Sequence, residues 1–180
     1  SIFKFENGVD LSDIHDLREY DQKFQIIADA GLMHVNASFF YPSSMTIFIN
    51  NFGGYSDKVV GTATHSTGEY EMYDLADSVK VELERACRYW VARYSAYPVM
   101  WSLGQEVDND FFWNRDTFNG HVEWSYVNNP YHYVAEYISK YDAYSRPLTA
   151  HQEGVANAGA SKSSFRDLKE HDFFALQWSP

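Results

Sequence analysis

An α/β fold with parallel strands is predicted for this chain on three observations. Segments with helical apolar spacing alternate with short β-prone runs along most of its length. The stretches after those runs are polar or aromatic, and α/β folds carry their sites at such strand ends. No glycine-rich phosphate loop follows any run, which disfavours a nucleotide-binding version of the fold.

Over 12–30, Leu17, Tyr20, Phe24 and Ile27 recur at helical spacing, Ser12 or Asp13 is placed to cap the start, and Gly31 to end the helix. The run LMHVNASFF, 32–40, predicts a short buried strand. Residues 41–77, dominated by Gly, Ser, Thr, Asn and Tyr, show no sustained period and are expected to form a long strand-end loop. A second helix is predicted over 78–95, with Val79, Leu83, Ala86, Cys87, Trp90 and Tyr94 on one face and Tyr97-Pro98 closing it. Residues 99–103 form the next strand, and 107–129, rich in Trp, Phe and Asn, the second long loop.

Asn129-Pro130 reads as an N-cap followed by a first-turn proline, and Val134, Tyr137, Ile138 and Tyr141 give that helix its inward stripe. Arg146-Pro147 ends it, and LTAHQ, 148–152, begins another strand. A brief helix over 164–171, with Ser164 and Asp167 spaced like a capping-box variant, and a last strand, DFFALQW, 172–178, complete the series. The 180 residues suit one domain, and no internal repeat divides them.

With 45% apolar and 18% aromatic residues, including 14 Tyr, 13 Phe and 5 Trp, the chain has ample packing material and many flat side chains of the kind that stack on sugar rings or simply fill a core. A formal charge of -11 with no Lys/Arg run makes nucleic acid an unexpected partner. The single Cys87 excludes an internal disulfide and any multi-cysteine metal site. No signal-peptide pattern opens the chain and no apolar run approaches about 18 residues, so no membrane partner is expected.

The stretch RYWVARYSAYPVMWSLGQE, 88–106, resembles the helix-turn-strand of the apiosidase-like branch of glycoside hydrolases, in a retaining (β/α)8 clan whose acid/base glutamate ends the fourth strand. RPLTAHQEG and SSFRDLKEHDFFALQWS resemble the same branch, in which a histidine follows the fifth strand and a glutamine ends the sixth. The resemblance implies a partial TIM (β/α)8 barrel with four parallel strands, the third to the sixth, the remaining barrel strands being expected from the rest of a parent chain. It also implies a carbohydrate substrate, no cofactor, and a periplasmic or extracellular location.

Glycoside hydrolysis needs a protonated carboxyl group to assist the leaving oxygen and a second carboxylate to attack the anomeric carbon or activate water. Glu106, at the end of an apolar strand, suits the first role, since apolar walls raise a carboxyl pKa. From spacing alone, a glutamate on an exposed loop reads the same way. Gln105 stands where the clan commonly has asparagine, offering the same amide on a longer arm toward a sugar hydroxyl. His151 and Gln177 match the other strand-end positions, either to face a sugar hydroxyl or as satisfied core or loop residues, and Phe40, Phe112, Trp113 and Trp178 lie at or past strand ends, either to stack on sugar or to pack the core. The nucleophile implied by the family is a glutamate ending the seventh strand, expected beyond Pro180; Glu153 reads as a loop carboxylate ahead of an internal candidate for that role.

Asp108 and Asp110 suggest either a cation site or solvated loop carboxylates. The other histidines, His15, His34, His65, His121, His132 and His171, lack ligand spacing, so no catalytic metal is expected. Besides a retaining glycosidase, a non-catalytic carbohydrate-binding or scaffold piece fits the sequence. An α/β hydrolase does not, lacking the GxSxG elbow.

Overall fold

The computed structural model describes residues 4–5, 9–10, 14–35, 42–65, 68–105, 107, 126–152, 168–173 and 175–176. Its elements run β1 (Lys4–Phe5), β2 (Val9–Asp10), α1 (Ile14–Asp29), β3 (His34–Val35), α2 (Pro42–Asn51), β4 (Tyr55–His65), β5 (Gly68–Leu75), α3 (Asp77–Tyr94), β6 (Val99–Gln105), β7 (Tyr126–Val127), α4 (Pro130–Tyr141), β8 (Leu148–Gln152) and β9 (Ala175–Leu176).

Three helices form where apolar spacing predicts them. Leu17 and Phe24 bury the inner face of α1, and Gly31, at φ 69°, lets the Leu32 N–H reach back to the Ile27 carbonyl at 3.1 Å, a glycine stop of the Schellman kind. In α3, Val79, Leu83, Ala86, Cys87, Trp90, Val91 and Tyr94 are all buried. The start of α4 is capped as expected: Asn129 Oδ1 accepts from the Tyr131 N–H at 3.1 Å and Pro130 fills the first position.

Four strands form a sheet of order β3-β6-β8-β9, every pair parallel, so the order across the sheet repeats the order along the chain. The fold is therefore mixed α/β, with parallel strands alternating with helices, and the described strands form no closed barrel. Strand residues alternate between two faces. Val99, Trp101, Leu103, Leu148 and Ala150 join the core built by the helices, while Val35, Met100, Ser102, Thr149 and His151 line the opposite face.

Aromatic stacking ties α1 to this core: the Phe24 ring lies 4.3 Å from His34 and 4.2 Å from Tyr94, nearly parallel to both. Arg93 of α3 clasps Asp21 of α1 through Nε at 2.8 Å and Nη2 at 2.5 Å. Between α3 and α4, Glu84 accepts from Lys140 Nζ at 2.5 Å and from the Tyr141 hydroxyl at 2.6 Å.

Burial lowers the His34 pKa, partly opposed by a hydrogen bond to its own main chain, so folding favours the neutral ring. The stability this contributes is complete above the unfolded value of about 6.5 and is lost as pH falls through the lower folded value. Urea unfolding from pH 8 to 5 is expected to show wild type losing stability relative to His34→Phe below about pH 6.5. Parallel pH profiles would contradict this.

Residues 41–77 are not the loop predicted. Met45, Phe48 and Ile49 bury one side of α2, and Phe52 packs against the core beside them. β4 and β5 then form an antiparallel hairpin, and β7, from the second long segment, pairs parallel with β5. The two strand-end segments thus meet in one three-stranded sheet, β4-β5-β7.

The strand predicted over 32–40 is described only as far as Val35, and it is not buried: Leu32, Met33 and Val35 are 61%, 51% and 60% exposed, because β3 is an edge strand with nothing described on its outer side. Of the helix predicted over 164–171, the described residues 168–171 form a turn closed by the His171 N–H on the Leu168 carbonyl, 3.1 Å. The last strand is described over Ala175–Leu176 alone.

The α2 to β4 turn depends on glycine. Gly53 has φ 119°, and a Cβ there would meet Ser78 Oγ at 2.6 Å, displacing the 2.5 Å bond from that hydroxyl to the Phe52 carbonyl. Gly53→Ala is expected to cost about 2 kcal/mol or more in chemical unfolding. A cost near zero would mean the turn relaxes freely.

Candidate functional site

Parallel strands bring their carboxyl ends to one edge of the sheet. There the ladder sets Gln105 of β6 opposite His151 of β8, and His151 opposite Ala175 of β9. Between the Ser102–Thr149 and Gln105–His151 pairs, β6 uses three residues where β8 uses two. A bulge of this kind re-aims the residues that follow, and bulges concentrate beside active sites. Position 106 is the next residue along.

Below this edge, on the face away from the helices, lies a cavity of about 280 Å³ lined by Val35, Met100, Ser102, Thr149, His151, Phe173 and Ala175. It crosses all four strands, and its walls are apolar except for two hydroxyls and one imidazole. Nδ1 of His151 is buried and has no hydrogen-bond partner among the described residues. A buried ring nitrogen without a partner is costly, and a ligand or water polar group is the usual way to satisfy it.

The β8–β9 side is held by side chains. Thr149 Oγ1 donates to the Phe173 carbonyl at 2.6 Å, and the Ala150 N–H donates to His171 Nε2 at 3.2 Å. Nothing in the local sequence around His171 marks it for this contact, which joins residues 21 apart.

On the other side, Asp74 ends β5 against α3 and α4. Burial pushes its carboxyl pKa up, but hydrogen bonds from Lys80 Nζ at 2.6 Å, the Tyr133 hydroxyl at 2.7 Å and the Leu75 N–H at 2.8 Å outweigh burial and hold it below the ordinary carboxylate value. The base of the three-stranded sheet is thereby anchored to both helices.

Of the residues singled out from sequence, His151 and the backbone of Gln105 are brought together in one row. Glu106, Phe40, Phe112, Trp113, Gln177, Trp178, Glu153, Asp108 and Asp110 lie outside the described residues. Sequence reading missed the lining residues Met100, Ser102 and Thr149, although the two-residue period of the strands marks them as sharing one face. Among the described residues, no cluster of three or more His, Cys, Asp or Glu is placed to hold a metal ion, and no helix is long and apolar enough to cross a membrane. The chain matches no family model, no curated protein and no solved structure.

Proposed function

We propose that the chain is the catalytic part of a retaining glycoside hydrolase, with Glu106 as general acid/base and a nucleophilic glutamate supplied from a segment outside this chain. The observation that carries this reading is Gln105 at the carboxyl end of a parallel strand, in register with His151 at the rim of an apolar cavity, with Glu106 the next residue in the sequence. A carboxyl group beside apolar walls keeps its proton more readily, which a general acid requires.

The barrel architecture belongs to the same proposal. The sheet adds strands in chain order with its cavity-lining face turned away from the helices, and Leu32, Met33 and Val35 at its β3 edge are exposed. Further β/α units placed there would cover that face and that edge.

In the first step the nucleophile attacks the anomeric carbon while Glu106 gives its proton to the departing glycosidic oxygen, leaving a glycosyl ester and an ionised Glu106. Glu106 then takes a proton from water as that water attacks the anomeric carbon. The ester breaks, and the starting carboxyl and carboxylate are restored.

A second reading, carbohydrate binding without turnover, draws on the cavity lining: among the described residues, Val35, Met100, Ser102, Thr149, His151, Phe173 and Ala175 supply no carboxylate. Glu106→Gln in the full-length protein separates the two. The enzyme is expected to keep oligosaccharide affinity by calorimetry and lose hydrolysis, whereas hydrolysis at the wild-type rate would refute the acid/base role.

A further inference from the structure

Position 106 is bonded to a described residue on each side. Gln105 is held in the ladder against His151. Val107 is fully buried, and its carbonyl accepts a 2.7 Å hydrogen bond from Asn129 Nδ2. Asn129, itself 2% exposed, uses its other amide atom, Oδ1, to cap α4 through the Tyr131 N–H.

One side chain therefore joins the first residue past position 106 to the start of a helix 22 residues later. The attachment continues into the three-stranded sheet. The Asn128 N–H donates to the Tyr73 carbonyl at 2.7 Å, where β7 leaves β5.

A helix cap needs only an acceptor, which Asp and Ser provide as well as Asn does. The donor to Val107 needs an amide, since an ionised Asp has no hydrogen to give and the Ser hydroxyl sits on a shorter arm. The cap and the clamp can thus be separated by substitution.

We propose that Asn129 is a positioning residue whose amide fixes the main chain on the far side of Glu106 and so sets where the acid/base carboxyl stands. This rests on the reading of Glu106 as the acid/base. The cost of a misplaced acid falls on substrates whose leaving group needs a proton, and little on those whose leaving group departs unaided.

The test uses Asn129→Ser and Asn129→Asp in the full-length protein, with Glu106→Gln as reference. Amide hydrogen exchange over 105–108 needs no substrate. It is expected to accelerate about tenfold in both variants while α4 amides keep wild-type protection, the loss of one buried hydrogen bond being of that size. On a panel of phenyl and 2,4-dinitrophenyl glycosides of glucose, galactose, xylose and arabinose, kcat/KM is expected to fall about tenfold for the phenyl member and to change little for its dinitrophenyl counterpart.

Unchanged exchange over 105–108 overturns the clamp. Equal losses on the two leaving groups, with Glu106→Gln retaining its selective loss, overturn the positioning role and leave Glu106 standing. Equal losses in Glu106→Gln itself refute the acid/base reading, and with it the role given to Asn129.

Discussion

Glu106→Gln in the full-length protein is expected to slow hydrolysis of phenyl glycosides by about 10²- to 10⁴-fold, the usual worth of a positioned general acid/base. That corresponds to about 3 to 5 kcal/mol of transition-state stabilisation. The glutamine amide keeps the shape of the side chain and its capacity to hydrogen-bond, so substrate affinity stays near wild type and the loss falls on kcat. With 2,4-dinitrophenyl glycosides the leaving oxygen needs no proton, and the first step is nearly spared. The pH profile supplies an independent readout. Wild-type kcat/KM is expected to fall at high pH as the acid loses its proton, and the variant to lack that basic limb. Equal loss on both leaving groups with an unchanged pH profile would assign Glu106 a structural role instead.

Trp101→Ala is expected to cost about 3 to 5 kcal/mol. Trp101 is fully buried in the middle of β6, and its Nε1–H donates to Asp142 Oδ2 at 2.8 Å. Asp142, 6% exposed at the end of α4, also accepts from the backbone N–H groups of Tyr144 at 3.1 Å and Arg146 at 3.0 Å. Strand, helix end and the turn into β8 thus share one carboxylate. Truncating the indole opens a cavity and removes one of the donors at once. A typical domain has a stability of about 5 to 15 kcal/mol, so this loss is a large fraction of the whole.

Trp101→Phe keeps most of the volume and is expected to cost less, while Asp142→Ala strands the indole N–H and two backbone donors. A double-mutant cycle between Trp101→Phe and Asp142→Ala, read by urea unfolding, isolates the pair, because residues sharing one network do not add. Trp101→Ala within about 1 kcal/mol of wild type would contradict the buried anchor.

The three helices with long apolar stripes were legible because burial at every third or fourth residue leaves a period that composition cannot hide: Leu17 and Phe24, Val79 through Tyr94, and Val134 with Ile138. α2 carries the same signal in Met45, Phe48, Ile49 and Phe52, opened by Pro42 and stopped by Gly53-Gly54. Its Ser, Thr and Asn residues made the stretch read as loop, and only ten residues were there to set against them. The hairpin of β4 and β5 was obscured in a similar way. Its ladder shifts register twice between Tyr55 and Gly61, which breaks the strict alternation a strand otherwise displays.

The burial expected of the 32–40 run fails at Leu32, Met33 and Val35 for another reason. Apolar composition says that a segment needs cover, not that the described chain provides it, and Leu32, Met33 and Val35 remain exposed. At the candidate site, the strand-end placement of Gln105 and His151 followed from parallel topology. Asn129 was legible as a helix cap through its neighbour Pro130, but its bond to the Val107 carbonyl joins residues 22 apart and has no local sequence signature.

The measurement that bears most directly on Glu106 is azide rescue of Glu106→Ala in the full-length protein. In a retaining mechanism the glycosyl ester still forms on an activated substrate, and azide enters the space left by the missing carboxyl. It bonds to the anomeric carbon as the ester oxygen leaves. The expected result is a rate that rises with azide and a glycosyl azide with the anomeric configuration of the substrate. Wild-type hydrolysis of phenyl glycosides by Glu106→Ala, with no response to azide, would contradict it.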